Sequence, residues 1–501
     1  MTNIDRRGFL GLSTAFAAAG IGARELRESK FSLGAEKMRF GALADVHITG
    51  PEQGPYFERA LRKFDEWKVD AVLACGDLAD YGLEQQLQMV ADTWFKVFPD
   101  GKGSDGRKVV NLMHYGDHDM STWYVDKPEA KRQWPDADLR KASLIFSGDR
   151  KVIWERCFRE KWEQIALKEV KGYPFILYHF TRGEEGNEHG NGVPGLEEFL
   201  KAHHFDSSKP VFFSQHRVPR GTACGPLING QDDGTTTRLF SAMPNMVAFC
   251  GHVHMTGNNE LSLWQGAFTC VQVPSLRYVC THAGRENGYA TRDRPPRPPV
   301  QTMPQYPSHS NNIHQGFLCT VYENAMVIRR WEFTNDAPLG PDWVIPFSSF
   351  SQSAEERPFN FGVRSRALPT PSFAKGAEVS VSLVTAKNRL GEMRDMVRVA
   401  FPPAAQTADG LRADDYEVTL EMVDFEVTKV LSQHRVYSQR YTYPASLDTE
   451  EVYCLVEAAE FPTDRRHLRI SVRPCGPFGA KGEPIVLDPV VLKKAGKVKA
   501  K

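Results

Sequence analysis

The chain has no surplus of either charge: 62 Lys and Arg face 62 Asp and Glu over 501 residues. That neutrality gives no footprint for nonspecific nucleic-acid binding, which needs clustered cations to neutralise phosphates. No run of 18 apolar residues is present, so no segment reads as a membrane-spanning helix. The nine cysteines are odd in number and scattered, with no CxxC pair and no zinc-finger spacing. Cys75 and Cys250 fall inside core-strand patterns and read as small buried hydrophobes. What remains is a chain that is 41% apolar and sized for two or three globular domains.

Against this plain background five short runs stand out: Asp45-Val46-His47, Gly76-Asp77, Gly116-Asp117-His118-Asp119, His216, and Gly251-His252-Val253-His254. Most directly follow an apolar stretch with the character of a buried strand. GlyAlaLeuAla leads into Asp45, AlaValLeuAlaCys into Gly76, ValPhePheSerGln into His216, and MetValAlaPheCys into Gly251. A single such group would read as a strand cap or a satisfied core residue. Five in series point to a cluster at the carboxyl edge of a sheet, where open α/β sheets place their ligands.

Carboxylates mixed with imidazoles suit Zn, Mn or Fe, whereas Ca and Mg prefer oxygen alone. Two such ions side by side can clamp a phosphoryl group and acidify a water. In order and content the five runs resemble the motifs of the calcineurin-like metallophosphoesterases, over about residues 38–350. The resemblance implies an α/β/β/α sandwich and a metal-dependent phosphoric ester hydrolase acting on small-molecule mono- or diesters by attack of a metal-bridging hydroxide. By position, Asp45, His47 and His254 would hold one ion, Asp117, His216 and His252 the other, and Asp77 would bridge them. The ions would be two divalent or mixed-valence Fe, Mn or Zn. His118 would stand beside the scissile phosphate as general acid or charge stabiliser, with Asp119 orienting it. Asp80, three residues after the bridge, is expected to stabilise the local turn.

One position departs from the family pattern, which has Asn where this chain has Asp117. Three carboxylates against two dications leave about +1, where Asn would leave about +2, a change expected to weaken phosphate attraction. A trivalent ion or a nearby cation such as Arg217 could offset it. The alternative function is a binding protein that retains metal without turnover. Of the remaining histidines, His179 and His114 are expected in the core or at its rim. His203, His204, His309 and His314 are expected at the surface or rim.

At the N-terminus, Asp5-Arg6-Arg7-Gly8-Phe9-Leu10 resembles a twin-arginine export signal, followed by a short, mildly apolar stretch to Gly22. Residues 1–23 are therefore expected to be a signal peptide read by the twin-arginine machinery, with no stable membrane anchor and a periplasmic or secreted product. Residues 38–350 are expected to form the catalytic domain. Within it, Thr122 to Lys171 carries Trp, Arg, Lys and Glu at helical spacing, most clearly over Lys151–Lys168, and is expected to form either a cap beside the pocket or a plain surface helix. Residues 281–312 hold six prolines and are expected to be a long rim over the site. From 357 to 495 short alternating runs separated by turn residues predict a C-terminal all-β sandwich, with a weak resemblance to fibronectin type III domains.

Overall fold

The computed structural model describes residues 31–120, 150–180, 193–280 and 309–492, apart from positions 226, 227, 229, 311, 312, 389, 408, 409, 425, 426, 439–450 and 463–466. The export-signal reading of residues 1–23 and nearly all of the proline-rich rim lie outside the described residues.

Two sheets lie face to face. The first contains β1 (Glu36–Leu43), β2 (Ala71–Cys75), β3 (Val110–His114), β12 (Gln315–Tyr322), β13 (Ala325–Glu332), β14 (Ala337–Pro338) and β15 (Trp343–Pro346), in the order β14-β13-β12-β1-β2-β3 with β15 also on β13. The second contains β4 (Ile165–Val170), β5 (Tyr173–Tyr178), β6 (Val211–Ser214), β7 (Met246–Cys250), β8 (Leu263–Gln265) and β9 (Thr269–Gln272), in the order β4-β5-β6-β7-β9-β8, while β10 (Val279–Cys280) and β11 (His309–Ser310) form a separate antiparallel pair. β1, β2 and β3 run parallel, as do β5, β6, β7 and β9. All the strands that carry motif residues therefore end on one edge.

Strand period explains the layers. In β1, Met38, Phe40 and Ala42 point into the core between the sheets, while Leu43 joins the core on the opposite face. In β7, Val247 and Phe249 face the shared core and Met246, Ala248 and Cys250 face outward onto helices. Phe40 lies edge-on to Phe175, Phe212 and Phe249, with ring centroids 5.3, 5.5 and 5.6 Å away. Outside the first sheet pack α1 (Gly54–Glu66) and α2 (Glu84–Val97), followed in the chain by the single turn α3 (Asp117–Met120) and by α4 (Arg150–Phe158). Outside the second pack α5 (Leu196–Ala202) and α6 (Thr235–Phe240). The result is the expected α/β/β/α sandwich.

The expected helix over Lys151–Lys168 is shorter than its spacing suggests. α4 stops at Phe158, Arg159 turns to φ +58°, and β4 begins at Ile165. Pairing of Ile165–Val170 with β5 decides the matter, since a tertiary partner outweighs a short helical period.

C-terminal to α7 (Phe361–Ala367), two antiparallel sheets share a core built around Val397, Val399, Val418, Leu420, Ile470 and Val472. One is β16 (Ser380–Lys387), β17 (Met393–Phe401) and β20 (Val452–Glu457); the other, in order, is β19 (Val427–Tyr437), β18 (Asp415–Asp424), β21 (His467–Cys475) and β22 (Ile485–Leu487). Phe359 and Arg364, just before these sheets, pack on the α/β part. Phe359 bonds Gln265, and Arg364 reaches Glu260.

Candidate dinuclear metal centre

Each motif leaves its strand by a tight turn, and the turns are unusual. Asp45, His47, Asp77, His252 and His254 all have positive φ, between +48° and +71°. That region is sparsely populated by residues with a side chain, although Asp and His enter it more readily than most. Five such residues in one place indicate backbone held by its surroundings. The loops after β1 and β2 bond each other, Asp45 N to Gly76 O at 3.1 Å and His47 N to Asp77 O at 2.8 Å. Two glycines make the packing possible. A Cβ on Gly76, which has φ +84°, would lie 2.6 Å from His216 Nδ1, and one on Gly116 would lie 2.2 Å from Asp77 Oδ1.

These loops bring together all seven proposed ligands. In one group, Asp45 Oδ1 lies 3.2 Å from His254 Nε2, and His254 Nε2 lies 3.2 Å from His47 Nε2. In the other, Asp117 Oδ1 lies 2.9 Å from His216 Nε2 and 3.4 Å from His252 Nδ1. Asp77 Oδ2 stands between the groups, 3.6 Å from His47 Nε2 and 3.1 Å from His216 Nε2. The ligand atoms of Asp45, His47 and His254 fall within reach of one ion, as do those of Asp77, Asp117, His216 and His252. A further grouping of His47, Asp77 and His118 is equally close.

Three observations fit metal ions in this cluster. Asp77 Oδ2 and Asp117 Oδ1 are buried with no hydrogen-bond partner, which is costly for a carboxylate in the absence of a cation. His216 Nε2 approaches both carboxylates, Asp77 Oδ2 at 3.1 Å and Asp117 Oδ1 at 2.9 Å, so its ring converges with them as a co-ligand would. The imidazoles are also oriented from behind: His216 Nδ1 donates to Cys75 O at 2.7 Å, His254 Nδ1 to Tyr278 O at 3.0 Å, and His47 Nδ1 to Asp80 Oδ1 at 2.8 Å. Each therefore turns the lone pair of Nε2 into the cluster, the tautomer of a metal ligand. His47 Nε2 and His254 Nε2 meet at 3.2 Å, a separation that a shared proton or a metal ion between them satisfies.

Electrostatics point the same way. Burial works against the His216 imidazolium, yet Asp77 and Asp117 outweigh it and hold the pKa well above its usual value. His47 is raised likewise, burial being overcome by the hydrogen bond with Asp80 and the charge of Asp77. The pocket draws in positive charge. By contrast, burial, aided by the charge of His216, carries His114, at the end of β3 and bonded to Ser214, down to about 3, as suits a neutral core group.

Asp119 does not orient His118. Its carboxylate accepts from the backbone N–H of Leu78, Ala79 and Gly116 at 3.0, 2.7 and 2.8 Å, tying the Asp77 loop to the Asp117 turn. Burial and the neighbouring Asp77 push its pKa up to about 6. His118 leans instead on Asp80, whose carbonyl accepts from Nδ1 at 2.7 Å, and its backbone N–H holds Asp77 Oδ1 at 2.9 Å. Asp80 thus supports both His47 and His118, more than a local turn. His314, expected at the surface or rim, is buried, bonded to Leu276 O and stacked on Tyr56. His179 lies in the core among Tyr115, Trp154 and Trp162, and the cluster takes His216 rather than His179.

Two neighbours were not singled out from sequence. Arg277 reaches His47 O at 2.9 Å and Asp80 Oδ2 at 3.2 Å, and Tyr278 stacks on His254 at 4.2 Å. Both follow β9, which runs parallel to β7 and ends on the same edge. The strand-end signal extends to Arg and Tyr as well as to Asp and His.

An α/β/β/α sandwich carrying this cluster on its sheet edge has the architecture of a metallophosphoesterase. Residues 38–256 match the family model of the calcineurin-like phosphoesterases. Among solved structures, the chain is similar to a dimetal phosphatase from Danio rerio, at 12% identity and a TM-score of 0.36, over 62% of this chain and 99% of that one. It is similar to a purple acid phosphatase from yellow lupin seeds, at 13% identity and a TM-score of 0.38, over 63% of this chain and 55% of that one. A third likeness is to an anchor protein of the inner membrane complex of Plasmodium, at 10% identity and a TM-score of 0.34, over 62% and 88% of the two chains. No curated protein matches the chain.

Proposed function

We propose that this chain is a two-metal phosphoric ester hydrolase acting on small phosphate mono- or diesters, exported by the twin-arginine route to the periplasm or beyond. The observation that carries the activity is the shared carboxylate: Asp77 Oδ2, buried and without a hydrogen-bond partner, between two imidazole–carboxylate groups. Asp45, His47 and His254 would hold one ion, Asp117, His216 and His252 the second, and Asp77 both. When bound, such a pair supplies Lewis-acid stabilisation of phosphoryl charge and a water acidified towards neutral pH. His118 moves a proton at Nε2, since Nδ1–H is engaged by Asp80 O, and Nε2 faces the cluster 4.0 Å from Asp77 Oδ2. Asp80 and Arg277 hold the His47 loop in place. His216, His254 and His118 are fixed by carbonyls and His47 by the Asp80 carboxylate before substrate arrives, so the site needs little reorganisation.

No helix among the described residues is long and apolar enough to cross a membrane. Export rests on Arg6-Arg7-Gly8-Phe9-Leu10 and is tested by fractionation of cells expressing the Arg6→Lys/Arg7→Lys form, which should stay inside. The activity is tested by metal analysis of purified protein, then hydrolysis of p-nitrophenyl phosphate and bis-p-nitrophenyl phosphate with Mn, Zn or Fe. Two metals per chain with turnover of either ester supports the reading. Two metals with no turnover of any phosphoester would make the chain a metal-retaining binding protein.

A further inference from the structure

We propose that Arg217 is a positioning residue that neutralises Asp117, so that the pair replaces the neutral amide usual at this ligand position. The inference rests on the two-metal reading above and goes beyond it by assigning a residue outside the ligand set. The two oxygens of Asp117 have separate surroundings. Oδ1 is buried, faces His216 and His252, and has no hydrogen-bond partner. Oδ2 turns the other way and lies 3.4 Å from Arg217 Nη2. The guanidinium also lies over the Phe180 ring, 5.5 Å from its centroid, which leaves it little room to swing away. Its Nε–H is buried with no acceptor among the described residues, so the ion pair with Asp117 is the polar tie that orients it.

The charges then balance. Asp45, Asp77 and Asp117 would leave two dications with about +1, and Arg217 adds one positive charge at the back of the third carboxylate. The total equals that of a site with two carboxylates, an amide and no arginine. An amide alone at 117 would aim either its NH₂ or a weaker acceptor at the guanidinium, so the two positions make sense only together. Side-chain exposures of 18% for Arg217 and 15% for Asp117 leave the pair poorly screened.

The test titrates metal-stripped protein with Mn²⁺ by calorimetry and the Mn-loaded protein with inorganic phosphate, for the wild type, Arg217→Gln, Asp117→Asn and the double variant. Loss of one charge at this range should alter affinities by about tenfold. Arg217→Gln should weaken phosphate and tighten Mn²⁺, Asp117→Asn should weaken the second Mn²⁺, and the double variant should return both near wild type. Arg217→Lys, which keeps the charge, should behave as wild type even if the Gln variant does not fold. A double variant as poor in phosphate binding as Arg217→Gln would show that Arg217 grips the anion directly, overturning compensation. So would an Arg217→Gln form with both affinities unchanged, or a lysine form as defective as the glutamine one. Wild-type protein taking up fewer than two Mn²⁺ would instead overturn the two-metal reading itself.

Discussion

Asp77 holds a place no other side chain in the cluster can fill, because its Oδ2 lies within 3.6 Å of nitrogens from both ligand groups. An amide there keeps the shape and loses the charge that two dications require. Asp77→Asn should therefore lose most bound metal and essentially all turnover, measured as metal per chain and ester hydrolysis. Retention of two metals with near-normal rate would remove the bridge. His118 differs in kind: its Nδ1 is held by a carbonyl, and its backbone N–H bonds Asp77 Oδ1. His118→Ala should cut kcat by about 10²–10⁴-fold while leaving metal content intact. Metal loss in that variant would instead make His118 a ligand, as its grouping with His47 and Asp77 allows. Gly116→Ala places a methyl 2.2 Å from Asp77 Oδ1, so it should depress metal content although no ligand is changed, at a stability cost of about 1–3 kcal/mol.

Among the elements, several meet on one buried carboxylate. Glu260, between β7 and β8, is bonded by Arg330 of β13 at 2.6 Å, by Trp343 Nε1 of β15 at 2.9 Å, and by Arg364 of α7. Both sheets and the helix leading to the C-terminal sheets thus meet at one charge. Burial raises the cost of that charge, but Arg330 and Arg364 more than offset it and hold the pKa below the usual glutamate range. A group with a depressed folded pKa contributes stability above its unfolded pKa and loses it as pH falls. Glu260→Gln leaves two buried guanidiniums without their anion and should cost about 3–5 kcal/mol at pH 7. Urea unfolding at pH 7 and at pH 4 should show the gap between wild type and variant narrowing in acid. A gap independent of pH would mean the charge is not what Glu260 contributes.

For the whole molecule, ions that bind only the folded chain should raise its stability by mass action. At about 100-fold over Kd the gain is about 2.7 kcal/mol per site. Chelator treatment should therefore lower the thermal midpoint, and Mn²⁺ should restore it in wild type and far less in Asp77→Asn. An unchanged midpoint in wild type would speak against tight metal binding.

The candidate ligand residues were legible along the chain because β-strands bury alternate residues and stop abruptly. A polar group placed just after an apolar run, as at Asp45, Asp77, His216 and His252, announces the sheet edge without any knowledge of its neighbours. The two-layer α/β plan and the later all-β sheets follow from the same periodicity. Where spacing was ambiguous, as over Lys151–Lys168, pairing with β5 decided between helix and strand. Other features belong to contacts between loops far apart in sequence: the left-handed backbone at five ligands, the carbonyls of Cys75 and Tyr278 behind the imidazoles, and Asp119 turned to the Asp77 loop rather than to His118. Arg217 facing Asp117 across 100 residues is of the same kind. A side chain's type is written locally, but the direction it points and the charge it meets depend on which strands end side by side, and folding alone brings those together.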